Sequence, residues 1–290
     1  MKPIQYITET RRDAQWGLSV CSVGYQKIQS GELYPPTVHH REYLFNPNKG
    51  RILQEYQLLY IISGKGHLRT DHGGIHEIGA GDMFLLFPGE WHTYYPEKTI
   101  GWEEYWIGFK GTNIDQRVRA GFFSVENPVY HIGVNRDVTR LYDEAIQIAS
   151  RQEAFFQQLL AGLVNHLLGL MFMTNQTLTL NVAPELPGVI ANARDYMQQM
   201  VEENISMPDV ASYVGMSYAN FRHTFKRYTG LSPVQYFINL RLHRAKELLR
   251  GTDLSIKEIS YNLHFVNPEY FSTLFKKRTG LKPSDFRGQR

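Results

Sequence analysis

The last hundred residues of the chain contain one short pattern twice. "YANFRHTFKRYTGLSPVQYF" begins at residue 218, and "PEYFSTLFKKRTGLKPSDFR" begins at residue 268. Two phenylalanines, a Phe-Lys pair, Thr-Gly-Leu and a proline recur 50 residues apart. A self-similar stretch of this kind predicts two copies of one supersecondary unit, packed side by side.

Each copy is predicted to form two short helices joined by a tight turn. In the first copy, Ser206 has the character of an N-cap, and a second helix buries Phe221 and Phe225 before it ends at Gly230. The second copy repeats this plan, with one extra residue in its turn. Two helices connected in this way form a helix-turn-helix motif.

The two copies are separated by residues 233–251, "PVQYFINLRLHRAKELLRG", which predict one long helix, and seventeen helical residues span about 26 Å. Successive turns of a DNA major groove lie about 34 Å apart, so a rigid connector lets one chain enter neighbouring groove segments. Residues 188–290 contain 15 Lys/Arg against 9 Asp/Glu, whereas residues 1–187 contain 16 against 19. This basic final third predicts a polyanionic partner.

At this level of detail, residues 188–290 resemble the DNA-binding domain of the AraC/XylS family of bacterial transcription regulators. The resemblance rests on Arg241, Ala245 and "LL" at 248–249 in the connector, and on Ile256, Glu258 and Ile259 in the second copy. "YFS" at 270–272, "FKK" at 275–277, Thr279, Gly280, Pro283, Ser284 and "FR" at 286–287 complete it. His264 departs from the pattern, because the family usually has glycine there. This departure indicates a strained or reshaped backbone.

The resemblance implies that the second helix of each copy contacts DNA. The family's base-contacting positions correspond to Ala219, Arg222 and His223, and Arg222 is the strongest candidate because a bidentate Arg–guanine pair is the commonest specific contact. A phosphate contact by Arg222 is the alternative. The full predicted DNA-binding set is Ser217, Tyr218, Ala219, Asn220, Arg222, His223, Lys226, Asn267, Pro268, Glu269, Ser272, Thr273, Lys276 and Lys277.

Residues 16–110 predict a different structure, in which short strands rich in β-branched and aromatic residues are separated by glycine turns. This pattern favours a small antiparallel barrel or jelly roll. Residues 136–173 predict amphipathic helices with a broad apolar stripe, part of which is expected to pair with a second subunit. We therefore predict an α+β chain with a cupin-like effector-binding and dimerisation domain at 1–173, a linker at 174–187 and an all-α DNA-binding domain at 188–290.

"PGEWH" at 88–92 resembles the second half of a cupin barrel. Cupin enzymes hold a metal with a close pair of histidines, a Glu and a later His, and only His92 lies at a ligand-like position here, so we predict no metal. By resemblance to the arabinose regulator of the family, sugar contacts correspond to Tyr94, Glu104 in place of a His, and Trp106. An arginine contact falls at Lys49 or Arg51. The predicted effector-binding set is Lys49, Arg51, His92, Tyr94, Glu104 and Trp106.

These observations lead to one hypothesis and two alternatives. The hypothesis is a homodimeric cytoplasmic transcription regulator, an activator that contacts RNA polymerase, with a sugar as effector and no cofactor. A single cysteine and no signal peptide favour a reducing intracellular compartment. The alternatives are a cupin metalloenzyme with an appended DNA-binding module and a constitutive DNA-binding dimer without an effector. By analogy with the arabinose regulator, residues 1–15 are a candidate arm over the pocket.

Overall fold

The computed structural model describes residues 4–36, 44–179 and 185–288. The chain divides into two compact units, Met1–Val182 and Ala183–Arg290. All strands within the described residues belong to the first unit, and the described part of the second unit is helical. The predicted α+β fold class is therefore confirmed. Residues 1–3 of the candidate arm lie outside the described residues.

The first unit contains one antiparallel β-structure. Its strands are β1 Gln5–Tyr6, β2 Ser19–Ile28, β3 Arg51–Ile52, β4 Tyr56–Thr70, β5 Gly74–Gly79, β6 Asp82–Leu86, β7 Trp91–Pro96, β8 Trp102–Lys110 and β9 Val129–His131. The first half of β4 pairs with β6 and β8, and its second half pairs with β5 and β7. β2 pairs with β8 and with β1, β6 pairs with β9, and β3 pairs with β7. The long strand β4 thus belongs to both sheets of the predicted jelly roll.

The glycine pattern predicts one strand in "EYQLLYIISG" at 55–64 and another in "GHLRTDHGG" at 66–74. The structure has the single strand β4 there, so that expectation is wrong. The register of β4 against β8 shifts between Ile61 and Ser63, and the strand continues through Gly64. Gly64 has φ +88°, and a Cβ there would lie 2.1 Å from the carbonyl oxygen of Gly101. A bulge and a glycine therefore bend the strand without ending it.

Successive side chains of β8 point alternately into two different cores. Trp102 and Trp106 face the interior between the sheets, where they pack with Leu59 and Phe84. Tyr105 and Ile107 face the opposite side and join a larger core formed with the helices. Glu104 lies on the interior face, between the two tryptophans, and is 1% exposed. The strand period of two therefore places a carboxylate in the middle of an aromatic interior.

The helices of the first unit are α1 Arg11–Gln15, α2 Thr112–Arg119, α3 Arg136–Arg151 and α4 Phe156–Thr179. Residues 156–178 are long and apolar enough to cross a membrane by length and composition alone. The same helix places Leu160, Val164, Leu167 and Met171 in the core against α3 and the sheet. This packing is that of a core helix.

Helix α4 continues to Thr179, into the predicted linker at 174–187. The first proline of that stretch is Pro184, so nothing in "TNQTLT" stops the helix. The next helix begins at Leu186. Residues 180–184 lie outside the described residues, and the predicted boundaries at 173 and 188 stay predictions.

The second unit contains two separate cores that share one helix. Its helices are α5 Leu186–Gln199, α6 Met207–Tyr213, α7 Tyr218–Thr229, α8 Pro233–Gly251, α9 Ile256–Asn262, α10 Pro268–Thr279 and α11 Pro283–Arg287. Phe221 and Phe225 pack with Phe237 from the start of α8. Phe271 and Phe275 pack with Leu242, Ala245 and Leu248 from its later turns. The predicted connector is therefore a structural part of both helix-turn-helix units.

The repeated Thr-Gly-Leu has the same function in both copies. The Thr229 hydroxyl donates to the carbonyl of Phe225 at 2.8 Å and lies 3.0 Å from the Leu231 carbonyl. Thr279 makes the equivalent contacts at 2.8 Å and 3.0 Å, 50 residues later. Gly230 and Gly280 end the helices with φ +77° and +81°. The repeat is thus a helix C-terminal motif as well as a core pattern.

Within the second unit, a small joint fixes the two helix-turn-helix motifs relative to each other. The Arg241 guanidinium donates to the carbonyls of Glu203 at 2.9 Å, His264 at 3.3 Å and Val201 at 3.4 Å. His264 has φ +51°, in the left-handed region that the departure from glycine indicated, and its Nε2 lies 3.0 Å from the Glu202 carbonyl oxygen. The loop after α5 is therefore tied to the turn of the second motif.

Candidate effector cavity and DNA-binding surface

Arg51 provides the positive side of a cavity in the barrel. Its Nη2 donates to the Tyr94 hydroxyl at 2.6 Å and to Gln57 Oε1 at 3.4 Å. The guanidinium carbon lies 4.4 Å from the centre of the Phe45 ring. Burial raises the pKa of Tyr94 to about 12, an effect that Arg51 partly opposes. Arg51 is thus held by a phenol, an amide and an aromatic face.

Glu104 provides the acidic side. Its Oε1 accepts hydrogen bonds from the Gln26 amide and from the Tyr34 hydroxyl. Its Oε2 is buried and has no hydrogen-bonding partner among the described residues. The nearby Trp102 indole slightly lowers the pKa of the Glu104 carboxyl group. Burial is the largest influence and raises the pKa of Glu104 to about 7. A buried acceptor without a partner is costly unless another group reaches it.

Trp106 forms an aromatic wall because the neighbouring strand leaves room for it. Gly24 on β2 lies opposite Trp106 on β8, and a Cβ at Gly24 would be 2.4 Å from the indole ring. Tyr34 packs edge-on against Trp102, Tyr94 and Phe45, with ring centres 5.7 to 6.2 Å apart. Aromatic faces therefore surround the Arg51 and Glu104 groups.

The cavity between these groups has a volume of about 20 Å³, which is room for about one water molecule. Four residues of the predicted effector-binding set line it, namely Arg51, Tyr94, Glu104 and Trp106. Lys49 does not; it is exposed, and its carbonyl accepts a hydrogen bond from the Trp91 indole at 3.0 Å. Of the two positions predicted for a cationic contact, the structure brings only Arg51 to the cavity.

His92 is also not in the lining. It is fully buried, its Nδ1 lies 3.1 Å from the Glu90 carbonyl, and Arg51 Nε lies 3.4 Å from its Nε2. Burial and the neighbouring Arg51 lower the pKa of His92 to about 4. A neutral imidazole that accepts from Arg51 supports the cavity wall from outside.

Residues 4–15, the described part of the candidate arm, pack on the barrel. Gln5 and Tyr6 pair with Val23 and Ser22 of β2. Tyr6 lines the cavity. Short helix α1 follows, with a capping box between Thr10 and Asp13. An effector contact by this segment stays a prediction.

In the second unit, helix α7 presents a basic face to solvent. Tyr218, Ala219, Asn220, Arg222, His223 and Lys226 are all exposed. Ser217 caps the helix, since its hydroxyl accepts from the Asn220 amide at 3.4 Å. Among the residues that the structure describes, neither Arg222 nor Lys226 has an ion-pair partner. Both cations therefore remain available for phosphates or bases.

Helix α10 presents the second face. Asn267 is its N-cap and accepts from the Tyr270 amide at 2.7 Å, while Glu269, Thr273, Lys276 and Lys277 are exposed. Pro268 and Ser272 are half-buried. Val266, at the start of this helix, is 82% exposed. The predicted set thus occupies the start and outer face of the second helix of each motif.

Two family models match the chain in agreement with this division. A model described as "AraC-like ligand binding domain" matches residues 30–168, and one described as "Helix-turn-helix domain" matches residues 210–289. The chain belongs to the AraC family of transcriptional regulators. It is accordingly a DNA-binding regulator with a ligand-binding domain, and the metalloenzyme alternative is excluded.

Similar AraC-family relatives match over most of their length. The MmsAB operon regulatory protein of Pseudomonas aeruginosa is 25% identical over 89% of this chain and 83% of its own. The lactose operon transcription activator of Staphylococcus xylosus is 26% identical over 83% and 88%. The arabinose operon regulatory protein of Escherichia coli is 26% identical over 81% of each chain.

Sequence reasoning missed several residues of these sites. Gln26, Tyr34 and Gln57 contribute polar groups to the cavity of this AraC-family chain. The inward position of Gln26 could have been predicted from the alternation of side chains along β2. Tyr34 lies in an irregular segment, where no sequence pattern predicts the direction of the side chain. Within residues 4–36, 44–179 and 185–288, no group of three His, Cys, Asp or Glu side chains has the arrangement of a metal site.

Proposed function

We propose that this chain is a homodimeric transcription activator whose barrel binds a sugar. The observation that carries the proposal is the convergence of Arg51, Glu104, Gln26 and Gln57 on a cavity with Trp106 as one wall. Sugars are bound in proteins by hydrogen bonds to hydroxyls and by stacking on aromatic faces. Two of the relatives are named for sugar operons and one of them is named an activator, which supports this assignment.

A sugar screen tests the effector class. A panel of monosaccharides and disaccharides is expected to raise the Tm of the full chain for at least one member, because a ligand that binds only the folded state stabilises it by about 3 kcal/mol at 100 times its Kd. The Arg51→Gln variant should need roughly ten times more of that sugar. No shift with any sugar, but one with another class of metabolite, would exclude sugars. No shift with any small molecule would favour the constitutive alternative.

The proposed dimer uses the exposed side of α4. Leu159 and Met173 are 62% and 58% exposed, and Leu163 and Leu170 between them are partly buried. These four residues lie on one helix face at spacings of three, four and seven. A contiguous apolar face of this kind is typical of a helix–helix interface. Sedimentation equilibrium that gave only monomers at micromolar concentration would exclude it.

Arg222 tests how the regulator selects DNA. The Arg222→Ala variant is expected to lose roughly 1–3 kcal/mol of specific binding and to relax sequence preference at one base position. Binding to a set of promoter fragments with single base changes measures both effects. Lys226→Ala is the matched control and should weaken all fragments alike, as a phosphate contact does. Uniform weakening by Arg222→Ala would assign Arg222 to the DNA backbone.

Activation and cellular location complete the proposal. In this proposal the chain activates by contacting RNA polymerase at the promoter, and it does so in the cytoplasm. In vitro transcription with purified polymerase, the chain and a promoter fragment is expected to rise when the effector is added. A fall in transcript would show repression.

A further inference from the structure

A second cavity lies outside the barrel, between α2, the loop after it and α4. It has a volume of about 290 Å³ and shares no lining residue with the barrel cavity. Three phenylalanines form its walls, with the Phe122 and Phe172 rings 5.6 Å apart and the Phe123 and Phe172 rings 6.1 Å apart. Phe122 is 53% exposed, so this side of the cavity opens to solvent.

Two polar side chains of this cavity have unmet hydrogen-bonding capacity. Nη1 of Arg117 and Oδ1 of Asn165 are both buried and have no hydrogen-bonding partner among the described residues. Among the described residues that line the cavity, Arg117 is the only charged one. A buried donor or acceptor that remains unpaired is unfavourable, and such a group calls for a water, an ion or a ligand.

Gly169 leaves the floor of the cavity open. It lies within α4, where glycine is less favourable than alanine, and no atom lies within 4 Å of the position a Cβ would take. The remaining lining residue, Leu168, is buried. The cavity therefore combines an apolar body, one cation and one amide.

From these contacts we infer that this cavity binds an organic monocarboxylate with an aromatic or aliphatic body. The carboxylate pairs with the Arg117 guanidinium, which makes charge-assisted hydrogen bonds to carboxylates, and the body of the ligand lies among the phenylalanines. The Asn165 carbonyl accepts from a donor of the ligand or from a water beside it. The site is separate from the proposed sugar site and gives the domain a second effector position.

Titration of the full chain with 3-phenylpropanoate tests this inference. Isothermal titration is expected to detect binding, whereas 3-phenylpropan-1-ol, which has the same body without the charge, should bind at least about tenfold more weakly. Arg117→Gln should weaken the carboxylate at least about tenfold. Arg119→Gln is the matched control, because Arg119 is exposed and lies outside the cavity, and it should leave the affinity unchanged.

A second variant distinguishes a loss of binding from a loss of folding. Gly169→Leu adds a side chain where there is open space, so it should fold normally, fill the cavity and abolish binding. Arg51→Gln, in the barrel, should bind 3-phenylpropanoate like the parent chain. The inference is overturned if the parent does not bind the carboxylate, if the alcohol binds equally well, or if binding survives Arg117→Gln and Gly169→Leu but is lost in Arg51→Gln.

Discussion

Replacing Phe275 by alanine is expected to unfold the second helix-turn-helix unit and to remove protection of one of two neighbouring DNA segments. Phe275 is fully buried, and its ring lies 5.7 Å from Phe271 and 5.4 Å from Phe286. Truncating a buried phenylalanine costs about 3–5 kcal/mol, which is comparable to the whole stability of a small unit. Denaturant unfolding followed by footprinting on the promoter measures both effects.

Phe225→Ala is the matched control, because Phe225 occupies the equivalent position in the first core. It should remove protection of the other segment and leave the second intact. Loss of the complete footprint by either variant would show that the two cores unfold together. A complete footprint in either variant, with the unit shown to be unfolded, would contradict the proposal that both motifs bind DNA.

Replacing Glu104 by glutamine is expected to stabilise the first unit at neutral and alkaline pH by about 3 kcal/mol. Burial raises the pKa of Glu104 from 4.5 to about 7. Between these pH values the folded chain retains a proton that the unfolded chain has lost, so the free energy of unfolding of the parent falls as pH rises. Glutamine does not titrate, and the two proteins should converge below pH 4.5.

His92 titrates with the opposite sign and provides an internal check. Its folded pKa, lowered from 6.5 to about 4, makes both proteins lose stability as pH falls through that range. This loss is the same in parent and variant. The difference between their free energies of unfolding, plotted against pH, therefore reports the titration of Glu104 alone. Urea unfolding from pH 4 to 8 gives the curve. A stability difference that does not change with pH would show that folding leaves the pKa of Glu104 unshifted.

The sequence allows the second unit to be predicted in detail because local signals and core pattern agree there. Ser206, Ser217 and Gly230 lie at helix ends in the structure as their residue types predict. The two phenylalanines of each copy are buried as their spacing predicts. Helix ends depend on short-range backbone hydrogen bonds, so four or five residues carry the information.

The barrel was harder to predict because its features depend on distant residues. The bend of β4 at Gly64 depends on the close approach of Gly101, which no local pattern reveals. Lys49 and Arg51 lie on either side of Gly50, and β3 contains only Arg51 and Ile52, so no strand pattern shows which of the two cations faces inward. Tyr34 reaches Glu104 across 70 positions of sequence. Strand pairing over such separations cannot be inferred from periodicity alone.

The joint between the two DNA-binding motifs has a consequence for how this region changes over evolution. Arg241 and His264 are held by main-chain oxygens of residues 201–203, not by the side chains of those residues. Any amino acid that allows the same backbone conformation provides the same carbonyl oxygens. We therefore expect the identities of residues 201 and 203 to vary while the hydrogen bonds to Arg241 are retained. Correlated substitutions across this contact should consequently be absent, although Arg241 itself cannot be exchanged for lysine without losing its multiple donors.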